Sequence, residues 1–374
     1  MQRMRVLLQS RTNLFSVAGG DAVQILKTKK YLEKYGIDAD ISTELEPCVS
    51  KYDVVHLFNL MRGQEVYIQV RNAKKYRKPV VLSTIYGLYI EYDRESRRGL
   101  ARVISNMLNP FQVEHLKIIA RAIVNKEVHK GVKSIILKNY YKCLKEVVES
   151  ADVLLPNSNS EMERVKNDFF LVDPKFIVVP NGVDPEIFDY ENTIPREAHK
   201  RFRDAILCVA RIEGRKCQLE LVKAIRDTPY MLVLVGKPAP NHKGYFKEVL
   251  REASKSRNIY YLGTINHDEL TGLYKVAKVH ALVSWMETPG LSSLEAAAMR
   301  CNIVATKKGD TYEYLRDYAY YCEPDDIDSI REAVIRAHES PFDERLRELV
   351  LSNYTWDVAA KKTLEGYKLA LENY

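Results

Sequence analysis

Residues 205–216 read Ala205-Ile206-Leu207-Cys208-Val209-Ala210-Arg211-Ile212-Glu213-Gly214-Arg215-Lys216. A short apolar, β-branched run ends abruptly in a cationic loop, the pattern of a buried strand that stops at its carboxyl end. Runs of the same kind recur at 231–235, 259–262, 280–283, 303–306 and 319–322, with helical patterns between them. Strands that alternate with helices predict a parallel sheet covered by helices. A second series lies upstream, at 5–9, 39–42, 54–58, 79–84, 153–155 and 176–179, and its first helix, 20–35, ends on Gly36, a natural C-terminal signal. Between the two series stands Pro180-Asn181-Gly182-Val183-Asp184-Pro185, followed by polar residues to about Arg203, which reads as a linker.

The expected organisation is therefore an α/β chain of two Rossmann-like parallel-sheet domains, 1–182 and 204–355, joined by a hinge at 183–203 and closed by a helix at 356–374. A length of 374 residues also exceeds what one hydrophobic core usually serves. Two such domains are expected to face a cleft, with ligands at the carboxyl ends of the strands that border it.

With 46% apolar and 29% charged residues, the composition is that of a soluble globular protein. No apolar run approaches bilayer-spanning length, and the basic start Met1-Gln2-Arg3-Met4-Arg5 leads only into a strand-like run, so neither a signal peptide nor a membrane span is expected. The cysteines are scattered without metal-ligand spacing, which fits reduced thiols in the cytoplasm.

The formal charge of +7 is unevenly placed. Over 94–145, Arg94, Arg97, Arg98, Arg102, Lys117, Arg121, Lys126, Lys130, Lys133, Lys138, Lys142 and Lys145 face only Glu95, Glu114 and Glu127. Apolar residues such as Leu100, Val103, Ile104, Leu116, Ile123 and Leu137 are interleaved with them. Basic amphipathic helices of this kind lie on anionic membrane surfaces, here the inner face of the cell membrane, or else pack on a core with solvated basic faces. Nucleic acid is not expected as a partner, because no binding motif accompanies the charge.

The chemistry concentrates at Glu287-Thr288-Pro289-Gly290-Leu291-Ser292-Ser293-Leu294-Glu295. Pro289 and Gly290 mark a loop, and the helix formers after them place Glu287 in the loop and Glu295 in the first helical turn. The N–H groups of Gly290, Leu291 and Ser292 would then face one space, and a helix N-terminus favours phosphate. Carboxylates beside a phosphate suit neutral hydroxyls, those of sugars and ribose. Ser292 and Glu295 also satisfy a capping box, an alternative this segment leaves open. At the end of the strand 205–210, Arg211 can grip a phosphate through its planar fork and Lys216 as a point charge, while Arg215 reads as part of a solvated loop.

The run Pro180-Asn181-Gly182-Val183-Asp184, then Arg211 with Lys216, Val235-Gly236, Leu262-Gly263 and Glu287 to Glu295 resembles the retaining glycosyltransferases of family 4, from the Gly19-Gly20 loop to Trp356. The resemblance implies the GT-B architecture, with a nucleotide-sugar donor in the C-terminal domain and the final helix crossing back to the first. It implies that Arg211 and Lys216 hold the diphosphate, Glu295 the ribose and Glu287 the transferred sugar. Backbone contacts to the donor would come from Gly236, Gly290, Leu291 and Ser292, and base contacts from the region of Thr264 and Ile265. The implied activity is retaining, metal-independent sugar transfer, with UDP-sugars favoured over GDP-sugars, to a saccharide or lipid-linked saccharide acceptor in bacterial-type surface polysaccharide or glycoconjugate synthesis. No cofactor is expected, and the location is cytoplasmic or peripheral on the membrane. The alternatives are a nucleotide-sugar epimerase of the same architecture and a non-catalytic binding subunit; the second is disfavoured because both cations and both carboxylates are present.

The first half offers fewer candidates. Gly19 and Gly20 open the first helix, where their N–H groups can approach the donor, although an ordinary turn explains them as well. Many relatives carry a histidine after the strand at 79–84, where this chain reads Thr84-Ile85-Tyr86-Gly87, so Tyr86 is a candidate replacement. His129 is a candidate for the acceptor side. Asp38-Ala39-Asp40 mimics a metal-binding DxD but falls in a strand and reads as surface carboxylates, and His56 reads as a packed strand residue.

Overall fold

The computed structural model describes residues 3–16, 19–92, 94, 106–125, 129–372 and 374. The chain forms two units, Met1–Asn181 together with Trp356–Tyr374, and Gly182–Thr355.

In the first unit, β1 (Arg5–Gln9), β2 (Asp38–Ser42), β3 (Val54–Phe58), β4 (Val80–Ser83) and β5 (Val153–Leu155) form a parallel sheet in the order β2-β1-β3-β4-β5. The central strands are buried on both faces, as apolar runs under helices must be. The expected strand at 176–179 does not form. Proline at 156 ends β5 after three residues, so only Phe176 bridges to it, opposite Leu154. The helix Gly20–Lys34 ends on Tyr35, and Gly36 follows with φ of 79°. The helix Trp356–Leu371 packs against β5 and against Gly20–Lys34. Its Tyr367 hydroxyl meets His56 Nδ1 at 2.8 Å while Ser83 Oγ meets Nε2 at 2.9 Å, so His56 is a packed strand residue. Burial pushes its pKa down to about 3 and keeps the ring neutral.

In the second unit, β6 (Ile206–Val209), β7 (Leu232–Val235), β8 (Ile259–Tyr261), β9 (Val279–Leu282), β10 (Asn302–Ala305) and β11 (Tyr320–Tyr321) run parallel in the order β11-β10-β9-β6-β7-β8. Ile206 pairs with Leu232 on one side and Val279 on the other. The chain thus leaves β6 toward β7 and later returns to its opposite side, which makes the β6/β9 boundary the switch point where the strand order reverses.

The segment 183–203 differs from the expected free linker. Val183, Phe188 and Phe202 are buried in the second core, and Val183 bridges to Thr355. Its few apolar residues are spent on packing, so it is part of the second unit.

Of the basic stretch, Arg97, Arg98, Arg102, Lys126, Glu95, Glu127, Leu100, Val103 and Ile104 lie outside the described residues. The remainder, Arg94 apart, lies in the helices Pro110–Asn125, Lys130–Lys138 and Tyr140–Ser150, which send Ile118, Ala122, Val132, Ile135, Leu144 and Val147 into the first core. Among the described residues no helix is long and apolar enough to cross a membrane. All six cysteines are free, and only Cys48 is exposed.

Candidate functional site

The loops leaving β6, β9 and β10 are tied together at the carboxyl edge of the second sheet. After β6 the chain passes Arg211, whose carbonyl accepts from Gln218 Nε2 at 2.8 Å, and enters a tight turn at Gly214–Lys216. The Arg215 carbonyl accepts from Trp285 N at 2.9 Å, binding the β6 loop to the β9 loop. Arg215 is therefore not the solvated cation that the sequence suggests: its guanidinium bonds Glu213 at 2.7 Å and its side chain is 21% exposed. Arg211 is the more open cation of this loop, 3.8 Å from Glu213 and 35% exposed.

Lys216 places its ammonium directly on Glu287 Oε1, and both side chains are about nine-tenths buried. Burial alone would raise the pKa of Glu287, but the charges of Lys216 and Arg215 and the bond from Lys216 outweigh it and hold the carboxyl below its ordinary value. Glu287 is fixed through its backbone as well. Its carbonyl accepts from Asp310 N at 2.9 Å, and Gly309, at φ of 77°, lies so close that a Cβ there would fall 2.3 Å from the Glu287 oxygen. Only glycine meets both demands at once. Beneath the pair, His280 of β9 is held neutral by burial, its pKa pushed down to about 3.

The helix Leu291–Ala298 starts on Gly290, which takes φ of 85° as N-cap without any side-chain capping bond. Ser292 is then the second helical residue, so the capping box does not form. Glu295 is the fifth residue and falls in the second turn instead of the first. The Tyr274 hydroxyl lies 3.2 Å from both Glu295 Oε2 and the Ser292 carbonyl, fixing the carboxylate relative to the helix start. The Leu291 and Ser292 N–H groups have no intrahelical acceptor by helix geometry.

Gly236, at φ of 134°, ends β7 where a Cβ would sit 2.0 Å from the Ala210 carbonyl, and its N–H donates to Gly263 O at 2.7 Å. Beyond Gly263, Thr264 is exposed whereas Ile265 packs against the core. The structure thus brings Arg211, Lys216, Gly236, Glu287, Gly290, Leu291, Ser292 and Glu295 to one edge of one sheet, with Thr264 and Ile265 after the neighbouring outer strand.

Gly19 and Gly20 belong to the other unit, where Gly19 caps the helix Gly20–Lys34. The adjoining Asp21 accepts from Arg11 Nε at 2.6 Å and from Asn59 Nδ2 at 3.1 Å. Tyr86 must be corrected as an acceptor-side residue. It is fully buried, and its hydroxyl donates to Asp168 at 2.7 Å, so it fills the first core instead of replacing a ligand-binding histidine. His129 caps the helix Lys130–Lys138, its Nδ1 accepting from Gly131 N at 3.2 Å, which commits that nitrogen to folding. Asp40 is engaged by Tyr52 at 2.6 Å and Lys51 at 3.2 Å, and among the described residues no cluster of three or more acidic, histidine or cysteine side chains could hold a metal.

Sequence reading missed Tyr274, Arg215, His280 and Gly309. Tyr274 and His280 lie in ordinary apolar patterns with no local signal, but Gly309, inside Lys307-Lys308-Gly309-Asp310 after a strand, could have been found as a loop glycine at a strand end.

Residues 189–352 match the family model described as "Glycosyl transferases group 1". A probable sucrose-phosphate synthase of Thermosipho melanesiensis is 25% identical over 237 residues, which are 59% of this chain and 55% of the relative. An uncharacterized glycosyltransferase of Methanocaldococcus jannaschii is 28% identical over 58% of this chain and 59% of its own length. The chain thus spans little more than half the length of these two relatives. The D-inositol 3-phosphate glycosyltransferase of Corynebacterium urealyticum is 25% identical over 78% of this chain and 75% of its own. Among solved structures, the sucrose-phosphate synthase of Thermosynechococcus elongatus superposes over the whole of both chains with a TM-score of 0.75 at 15% identity, and Anabaena HepE, solved with UDP and glucose, over 97% of this chain and 99% of its own with a TM-score of 0.66 at 12% identity. Residues 189–352 thus carry the sequence pattern of the group 1 glycosyl transferases, within a chain of two Rossmann-like parallel-sheet units whose structural neighbours are GT-B glycosyltransferases.

Proposed function

We propose that the protein is a retaining glycosyltransferase that moves a sugar from a nucleotide-sugar to a saccharide or lipid-linked saccharide acceptor, without a metal ion. The observation that carries this reading is the buried Lys216–Glu287 pair at the switch point of the second sheet, with Arg211 in the adjoining loop and a helix N-terminus following Glu287. A nucleotide-sugar presents a diphosphate flanked by two sets of hydroxyls, and this edge offers cations and backbone N–H groups flanked by two carboxylates. Lys216 has three N–H donors; one serves Glu287, and the others can meet a phosphate. Glu287 then accepts from hydroxyls of the transferred sugar, and Glu295, steadied by Tyr274, from those of the ribose.

As the glycosidic bond breaks, negative charge grows on the departing diphosphate, and fixed cations in a water-poor site stabilise it without reorganising. That supplies the role a metal would otherwise fill. Glu287 is a poor nucleophile while Lys216 neutralises it, which favours attack by the acceptor on the face from which the diphosphate leaves, a phosphate oxygen taking the acceptor's proton. UDP is favoured over GDP as the nucleotide, supported by the UDP complex of HepE.

The test is nucleoside diphosphate release from UDP-, GDP- and ADP-sugars, with and without saccharide acceptors. Lys216→Ala is expected to lower kcat about 100-fold or more, in the range lost with a transition-state donor. Glu295→Ala should instead raise the donor KM about tenfold, the value of a hydrogen bond to a charged group. Near-wild-type kinetics in both variants contradict the proposal. Conversion of a nucleotide-sugar with no acceptor and no diphosphate release would identify an epimerase instead.

A further inference from the structure

The loop after β10 carries the exposed Lys307, two residues before the glycine that packs on the Glu287 backbone. Its ammonium lies 4.9 Å from the ring centre of Tyr312 and 5.2 Å from that of Tyr321. The two rings stand 5.7 Å apart and are inclined by 54°, so one cation lies over both. Their hydroxyls are engaged elsewhere, that of Tyr312 on Asp317 and that of Tyr321 on the Arg316 carbonyl, which fixes the rings. Among the described residues Lys307 has no carboxylate partner, whereas the neighbouring Lys308 lies 3.7 Å from Glu323.

Ring faces attract a cation but neutralise none of its charge. An ordinary exposed lysine samples many rotamers, and binding an anion costs it that freedom; the two rings remove part of this cost in advance. What results is a positioned ammonium with three N–H donors, beside a tyrosine that is still 42% exposed. The ammonium suits a phosphate or carboxylate, and the ring suits the C–H groups of the sugar that carries it.

Given the transferase reading, on which this assignment rests, the place of Lys307 along the sheet identifies the sugar. In the strand order β8-β7-β6-β9-β10-β11, Thr264 and Ile265 at the implied base follow β8, the diphosphate cations follow β6, and Glu287 at the transferred sugar follows β9. The next loop in that direction is the one after β10, joined to the β9 loop by the Glu287–Gly309 bridge. Past the transferred sugar comes its acceptor. The geometry points to Lys307, with Tyr312 and Tyr321, as an anion-binding subsite that selects an acceptor saccharide bearing a phosphate or a carboxylate.

Calorimetric titration of the full chain with glucose 6-phosphate, glucuronate and glucose, each with and without saturating UDP, tests it. The two anionic sugars are expected to bind about tenfold more tightly than glucose, the value of a hydrogen bond to a charged group, and the difference should shrink as salt is raised. Lys307→Gln should abolish the difference and Lys307→Arg should keep it. Tyr312→Ala, which frees the ammonium, should weaken binding of the anionic sugars about threefold, and Tyr312→Phe, which keeps the ring, by less. Far-UV circular dichroism must match wild type in each variant. No binding of either anionic sugar, or a preference that survives Lys307→Gln, would overturn the proposal. So would a preference lost in Lys216→Met or displaced by UDP, since the anion would then sit on the diphosphate cations. A Lys307-dependent preference in a protein that gives no response to UDP would uphold the anion subsite and count against the nucleotide-sugar reading alone.

Discussion

Lys216 and Glu287 are opposite charges, each about nine-tenths buried, on loops 71 residues apart in sequence. Removing either leaves the other charge in a medium that solvates it poorly, so Lys216→Met or Glu287→Met alone should destabilise the protein by about 3–5 kcal/mol, while the double variant should lose clearly less than the sum. Urea denaturation of the four proteins measures this, and additive losses would show that the pair is not coupled. Acid provides the second handle. Glu287 has an ordinary pKa of 4.5 and a lower one in the fold, so its stabilisation is complete above 4.5 and is lost as pH falls through the folded value. Glu287→Gln should accordingly show a shallower loss of stability below 4.5 than wild type. Both residues are legible in the sequence, because one follows an apolar run and the other precedes a Pro-Gly break. Their contact is not legible, since no local pattern links loops so far apart. Arg215 was misread for a related reason: Glu213 lies in its own loop, but the Trp285 N–H on its carbonyl and the Met286 carbonyl 3.4 Å from its guanidinium come from the β9 loop.

The strands could be read because parallel strands buried on both faces are continuous apolar runs, and apart from 176–179, which forms no strand, sequence ranges and observed ones agree to within a residue or two. Errors arose where two local rules competed. Ser292 and Glu295 fit a capping box, yet Gly290 can adopt positive φ and takes the cap two residues earlier than a cap at Ser292 requires. Tyr86 follows a strand end, where ligand-binding residues gather, but its ring packs on Phe169 at 5.5 Å between centroids and its hydroxyl is taken by Asp168. Gly309 shows how the site depends on the loop after β10. Gly309→Ala would force a Cβ against the Glu287 backbone at an unfavourable φ, shifting Glu287 off Lys216. It should cost about 1–3 kcal/mol of stability and lower kcat/KM for sugar transfer by about tenfold or more, because a displacement of roughly 1 Å is enough to do so. Unchanged kinetics in a folded Gly309→Ala protein would remove this loop from the site.

At the scale of the molecule, two α/β units follow from two series of strands, and the final helix Trp356–Leu371 belongs with the first series although it follows the second in the chain. That helix is legible as an amphipathic segment, but its packing on β5 depends on residues some two hundred positions upstream. The placement of the two tryptophans gives each unit its own reporter, Trp285 in the second and Trp356 in the first. With Trp356→Phe, fluorescence follows Trp285 alone, beside the proposed donor site. Thermal melts of this variant with UDP-, GDP- and ADP-sugars test whether this edge of the second sheet binds a nucleotide-sugar. At saturation of about 100 times Kd, a donor adds about 2.7 kcal/mol to the folded state and should raise the Trp285 midpoint by about 5–10 °C. That rise is expected for at least one nucleotide-sugar, UDP-linked before GDP-linked, and should be lost in Lys216→Met. No rise with any nucleotide-sugar, or an equal rise with and without Lys216, would contradict donor binding at this edge.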